Sequence, residues 1–210
     1  VNEQEALSLC EVKNMLVCLD PGHGGDDWGA IGYSLFEKDV CLEIAFRVRR
    51  KLLHYHDISV TMTRSVDVNL GAEERSRWAN QQNADLFLSI HTNASPDPTM
   101  GGFSSYVSVI AGLKSRRIQC WLHNQLANFL RNYGVVDLGK KNDTETVEGR
   151  LQELRDVKMP AITIASLFIT HMRENHLLSD SDFLDLYAGT ISSGIANIYH
   201  CKKKEKANIN

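Results

Sequence analysis

The spacing of apolar residues changes several times along the chain, and each change predicts an element. Leu16-Val17-Cys18-Leu19 runs without polar alternation and stops at Asp20-Pro21-Gly22, the pattern of a short buried strand closed by a turn. Behind Glu37-Lys38-Asp39, the residues Val40, Leu42, Ile44, Ala45, Val48, Leu52 and Leu53 recur at the helical period. Arg47, Arg49, Arg50 and Lys51 crowd the later turns of that helix, where the negative end of the macrodipole favours them. Ile58 to Thr63 alternates and is rich in β-branched residues, so it predicts a second strand. A helix over 72–83, a strand from Leu86 to Ile90, a strand from Phe103 to Ile110 and a long amphipathic helix over 115–132 follow. Val135 to Arg155 is polar and glycine-punctuated, and is expected to be the least ordered part of the interior. Ala161 to Ile169 predicts the last buried strand, followed by a short helix over 172–177 and a closing helix over 183–199. The alternation of strands with helices implies one α/β layered domain with a mostly parallel or mixed central sheet flanked by helices. Residues 1–14 read as a leader or linker, 15–200 as the domain, and 201–210 as a polar tail expected to fray.

Composition narrows this little. A chain of 210 residues with 43% hydrophobic and 23% charged residues has the profile of an ordinary globular domain. A formal net charge of −3 gives no electrostatic case for nucleic acid. No apolar stretch approaches the roughly 18 residues of a membrane span. The five cysteines include no CxxC pair, so neither a zinc knuckle nor a disulfide framework is expected, and they do not identify the compartment. A start at Val1 rather than Met reads as a processed or truncated product, so the lack of a visible export signal carries little weight.

The chemistry gathers at the ends of two predicted strands. His23 follows the first strand among Gly22, Gly24 and Gly25, and His91 follows the third. In a parallel sheet both ends share one edge, where ligands of α/β proteins collect. Glu37 starts the first helix at the far end of the glycine-rich loop, which can fold back to bring its carboxylate beside both imidazoles. Two histidines and one carboxylate with an open fourth position form a common catalytic zinc set. Glu37 also has a plainer reading as a helix N-terminal carboxylate, and His23 and His91 as loop histidines. His54, His56, His123, His171, His176 and His200 lack matching partners.

These segments resemble the zinc-dependent N-acetylmuramoyl-L-alanine amidases of the amidase_3 type. The resemblance is carried by Leu19-Asp20-Pro21-Gly22-His23-Gly24-Gly25, Gly29-Ala30-Ile31-Gly32 and Glu37-Lys38-Asp39-Val40. Met62-Thr63-Arg64 with Asp67, Leu70 and Arg75 continues it in order, followed by Ala84 to Ala94, Gly101-Gly102-Phe103, and Leu154-Arg155 before Met159-Pro160-Ala161-Ile162. It spans about residues 15 to 200, making that stretch an amidase_3-like catalytic domain. The resemblance implies Zn2+ held by His23, Glu37 and His91, with Asn93 and Arg155 assigned to the substrate. The substrate implied is peptidoglycan, cut at the amide between the lactyl group of N-acetylmuramic acid and L-alanine. Such a substrate implies an extracytoplasmic location. An activator protein is a partner the sequence leaves open.

One position departs from the pattern. The family's last strand carries a glutamate, the general base and acid, and two residues later a glycine. Here Ala165 and Leu167 occupy those places. Alanine cannot transfer a proton, and loss of a general base typically costs about two to four orders of magnitude in rate. Three explanations are open: a natural amidase-like wall-binding or regulatory module with weak or no catalysis, an engineered inactive form, or another carboxylate in the missing role. The substitutes are Glu148 and Glu153, in the polar segment before the strand, and Glu174 after it.

Overall fold

The computed structural model describes residues 14–146 and 149–205, so the expected leader, apart from Asn14, lies outside the described residues, as do 206–210 of the tail. The first strand, β1 (Met15–Pro21), is followed by a small antiparallel ribbon, β2 (Ile31–Gly32) with β3 (Leu35–Phe36), and by helix α1 (Glu37–Leu52). Next come β4 (Ile58–Met62), α2 (Ala72–Gln81), β5 (Leu86–Asn93), β6 (Phe103–Val107) and α3 (Leu113–Arg131). The chain continues through β7 (Asp137–Asn142), α4 (Gln152–Asp156), β8 (Ala161–Phe168), α5 (Met172–Ser179) and α6 (Ser181–Ile198). Six strands form one sheet in the order β4-β1-β5-β8-β6-β7. All neighbours are parallel except β6 and β8, so the sheet is mixed and mostly parallel, as expected.

The period of two along each strand sorts the side chains into two unequal layers. Val17, Leu19, Leu86, Leu88, Ile90, Ile162 and Ile164 point into the larger core, which α1, α3 and α6 cover with residues such as Ile44, Leu122, Leu126, Tyr187 and Ile191. Cys18, Phe87, Ala161 and Ala165 point to the other side, where α2 and α4 supply only Ala79 and Leu154 to a small cluster. Asp20, Ser89, His91 and Thr163 share the parity of that second face. The thin layer stops short of the strand ends, and a cleft of about 860 Å³ opens there.

Three expectations are corrected. β5 continues to Asn93, because its ladder with β8 extends to the pair Asn93–Phe168, so His91 lies within the strand rather than beyond it. The described residues of the segment 135–155 are not irregular: they hold β7, a 3-10 turn over Asp143–Glu145, and most of α4. β7 is an edge strand with half-exposed residues, so it shows no apolar run to read in the sequence. Asp143, fully buried, pins the segment by accepting from Val109 N (2.8 Å) and Arg155 Nε (2.6 Å). Finally, the tail is tied down through Lys204: Lys202 O accepts from His56 N (2.8 Å), and Lys204 N donates to His54 O (2.7 Å).

Candidate metal centre and cleft

His23 sits on the turn after β1 with φ at +57°. A non-glycine residue there costs on the order of 1 kcal/mol and persists only if its surroundings hold it. Two arginines do so. Arg75, buried, donates to Pro21 O (2.7 Å), His23 O (2.9 Å) and the Asp20 carboxylate (2.9 Å). Arg64, also buried, donates to Pro21 O (3.0 Å), Gly22 O (2.7 Å) and Lys38 O (2.8 Å). Asp20 is completed by the hydroxyls of Thr63 and Ser89, each at 2.7 Å. The turn is thus clamped by groups from β1, β5 and α2 and by the residues just after β4. Its glycines are a matter of space: a Cβ on Gly22 would lie 2.2 Å from the His91 ring, and one on Gly29 would lie 2.6 Å from the His23 ring.

The structure brings His23, Glu37 and His91 together. Glu37 Oε2 lies 3.2 Å from His23 Nε2, and Oε1 lies 3.1 Å from His91 Nδ1. One potential ligand atom from each residue lies within 4.8 Å of the others, a cluster able to hold a metal ion. The two rings meet edge to face with centroids 5.0 Å apart. Ala30 N and Thr92 N, both at 2.9 Å, donate to the two Glu37 oxygens and fix the carboxylate plane. Asp27 Oδ2 lies 2.9 Å from His23 Nδ1, which turns Nε2 toward Glu37. A carboxylate behind a ligating imidazole sets its tautomer and raises its basicity. Burial opposes charge on both partners. The facing imidazoles nevertheless hold the Glu37 carboxyl well below the usual range, and Glu37 with Asp27 raises His23 to about 9. Two histidines and a carboxylate at this spacing fit zinc chemistry, with nitrogen and oxygen donors and an open side toward the cleft.

Among the remaining sequence candidates, Asn93 lines the cleft and donates from Nδ2 to Ala165 O (3.2 Å). Arg155 is bound to Asp143 and is not among the residues lining the cleft. Glu148 lies outside the described residues. Glu174 is buried behind β8, where it accepts from Phe168 N (2.6 Å), and does not line the cleft. Glu153, on α4, is buried and does line it. Ala165 pairs in register with His91, so only a methyl group faces the cleft from that point of β8. Leu167 has φ at +53°, in the irregular step where β8 places two residues, Ser166 and Leu167, against Thr92 of β5.

The sequence reading missed the roles of Asp27, Arg64 and Arg75. Asp27 stands four residues after His23, a spacing that signals contact only once the turn is known. Arg64 and Arg75 were visible in the motif, yet nothing in a linear pattern shows that their targets are three carbonyls of one turn.

Residues 17–197 match the family model of the Amidase_3 type, N-acetylmuramoyl-L-alanine amidase. The chain is 37% identical over 191 residues to an endolysin of Bacillus phage SPP1, covering 90% of this chain and 68% of that protein. It is 30% identical over 194 residues to a sporulation-specific N-acetylmuramoyl-L-alanine amidase of Bacillus subtilis, covering 92% of this chain and 71% of that protein. An N-acetylmuramoyl-L-alanine amidase structure from Clostridium difficile 630 superposes with a TM-score of 0.82 at 28% identity, covering 90% of this chain and 98% of that one.

Proposed function

The chain belongs to the Amidase_3 family of N-acetylmuramoyl-L-alanine amidases, and from that premise we propose that it is a zinc-dependent hydrolase of peptidoglycan acting outside the cytoplasm. The bond cut is the amide between the muramic acid lactyl group and L-alanine. The observation that carries this reading is the convergence of His23, Glu37 and His91 at the floor of an open cleft. Among the described residues no helix is long and apolar enough to cross a membrane.

His23 Nε2, a Glu37 oxygen and His91 Nδ1 would hold the ion, with Asp27 orienting the first imidazole and the N–H groups of Ala30 and Thr92 orienting the carboxylate. When bound, zinc supplies a Lewis acid that polarises the amide carbonyl and lowers the pKa of water. The chain's own part is to present these groups already ordered, so little reorganisation is needed when substrate arrives. The cleft, about 860 Å³, has room for more than the scissile amide, and Asn93, which lines it, would serve as a polar contact for the stem peptide.

A second reading is favoured by Ala165, which faces the cleft beside His91 without a proton-transferring group. In that reading the protein binds wall peptides and does not cut them. Zinc content of the purified protein and release of stem peptides from purified sacculi separate the two. Hydrolysis predicts about one zinc per chain and free peptides. Zinc without release, with cleavage appearing on Ala165→Glu, contradicts the enzyme reading for this chain.

A further inference from the structure

Five carboxylates line the cleft among the described residues: Asp20, Asp27, Glu37, Glu145 and Glu153. Four have partners. Asp20 is held by Thr63, Ser89 and Arg75, and Asp27 by His23 and the N–H of Gly29. Glu37 is bracketed by the imidazoles, and Glu145 accepts from Asn142 N (2.8 Å) at the 3-10 turn. Among the described residues Glu153 has no ion pair and no hydrogen bond to another residue, although it is only 8% exposed. A buried carboxylate without a partner is costly, and an unpaired one in a cleft is a candidate for work on a ligand.

Its position fits such work. Leu154, the next residue, packs with Ala161 and Ala165 and anchors α4 over the face of β8 that carries Thr163 and Ala165. Glu153 therefore lines the cleft from the thin layer, on the side of the sheet that also presents Ala165. Thr163 Oγ1, buried on the same face, also lacks a partner among the described residues. Burial pushes the Glu153 carboxyl upward, while the charge of His91 draws it down and that of Asp20 adds to the rise. A proton-transfer group benefits from a pKa moved toward the working pH.

We propose that Glu153 is the proton-transfer group for amide cleavage in this chain, reaching from α4 across Ala165 toward the space in front of His23, Glu37 and His91. The inference rests on the hydrolase reading above. In the step, the Glu153 carboxylate takes a proton from the attacking water as its oxygen bonds to the lactyl carbonyl carbon. The carbon–nitrogen bond then breaks, and the proton passes from Glu153 to the leaving alanine nitrogen. One water is consumed, a carboxylic acid and an amine are formed, and Glu153 returns to its starting state.

The test is Glu153→Gln in the zinc-loaded protein, compared with the unaltered chain on a soluble muramyl peptide. Expected are unchanged zinc content, unchanged peptide affinity by calorimetry, and a kcat lower by about 10²–10⁴-fold with little change in KM. The acid limb of the unaltered chain's pH–rate profile should be missing from the residual activity. A variant within twofold of the unaltered kcat overturns this inference and leaves the hydrolase reading intact. A variant that loses zinc or peptide binding also overturns it, because the role would then be structural. An unaltered, zinc-loaded chain that releases nothing overturns the hydrolase reading itself.

Discussion

Asp27 and Glu37 act on the metal site in different ways, and substitutions separate them. Asp27 reaches the site through the outer nitrogen of His23 and otherwise accepts from Gly29 N, so Asp27→Asn should keep the ligands and weaken zinc affinity by roughly 10–100-fold, measured by competition with a chelator. Glu37 accepts from two backbone N–H groups as well as facing both imidazoles. Glu37→Gln would turn an amide NH2 toward one of those donors, so both zinc and the local fold should suffer. The buried Asp20–Arg75 pair belongs to the scaffold under His23. Arg75→Met strands a buried carboxylate and removes a donor from two turn carbonyls, Pro21 O and His23 O, and should destabilise the protein by about 3–5 kcal/mol in denaturant unfolding. The clustering of His23, Glu37 and His91 was legible in the sequence because strand ends in a parallel sheet converge and the glycine-rich loop can fold the start of α1 back beside them. The partners behind them were not, since Asp27, Arg64 and Arg75 act on backbone atoms and ring nitrogens that a linear pattern does not place.

At the scale of elements, β8 shows two effects in competition. Leu167 adopts a left-handed backbone where glycine would be unstrained, a cost of about 1–2 kcal/mol. Its side chain is fully buried, and removing a buried leucine side chain costs about 2–5 kcal/mol. The second effect is larger, so Leu167→Gly should lower stability by about 1–3 kcal/mol in urea despite relieving the backbone. Strands with both faces covered, such as β1, β5 and β8, were readable as apolar runs. β7 was not, because an edge strand with polar, half-exposed residues has a loop's composition. The same blind spot hid α4, whose five residues are too few to show a helical period, and with it the placement of Glu153 over the cleft.

For the whole molecule, unequal covering of the sheet explains both stability and access. The large core beneath α1, α3 and α6 anchors the strands, and the thin layer leaves their C-terminal ends open on the other face. Because the proposed zinc ligands come from the turn after β1, the start of α1 and the end of β5, binding would tie together segments far apart in sequence. Zinc at a thousandfold excess over its Kd should add about 4 kcal/mol of stability. For a domain of this size that raises Tm by roughly 8–16 °C, reversed by a chelator and absent in His23→Ala. The most direct test of the hydrolase reading is mass spectrometry of purified sacculi digested by the zinc-loaded protein in isotope-labelled water. The account predicts peptides with a free L-alanine amino terminus and glycan strands whose lactyl carboxylates carry one labelled oxygen, with neither product after zinc is stripped. Intact amide bonds after prolonged digestion, with zinc bound throughout, would contradict it.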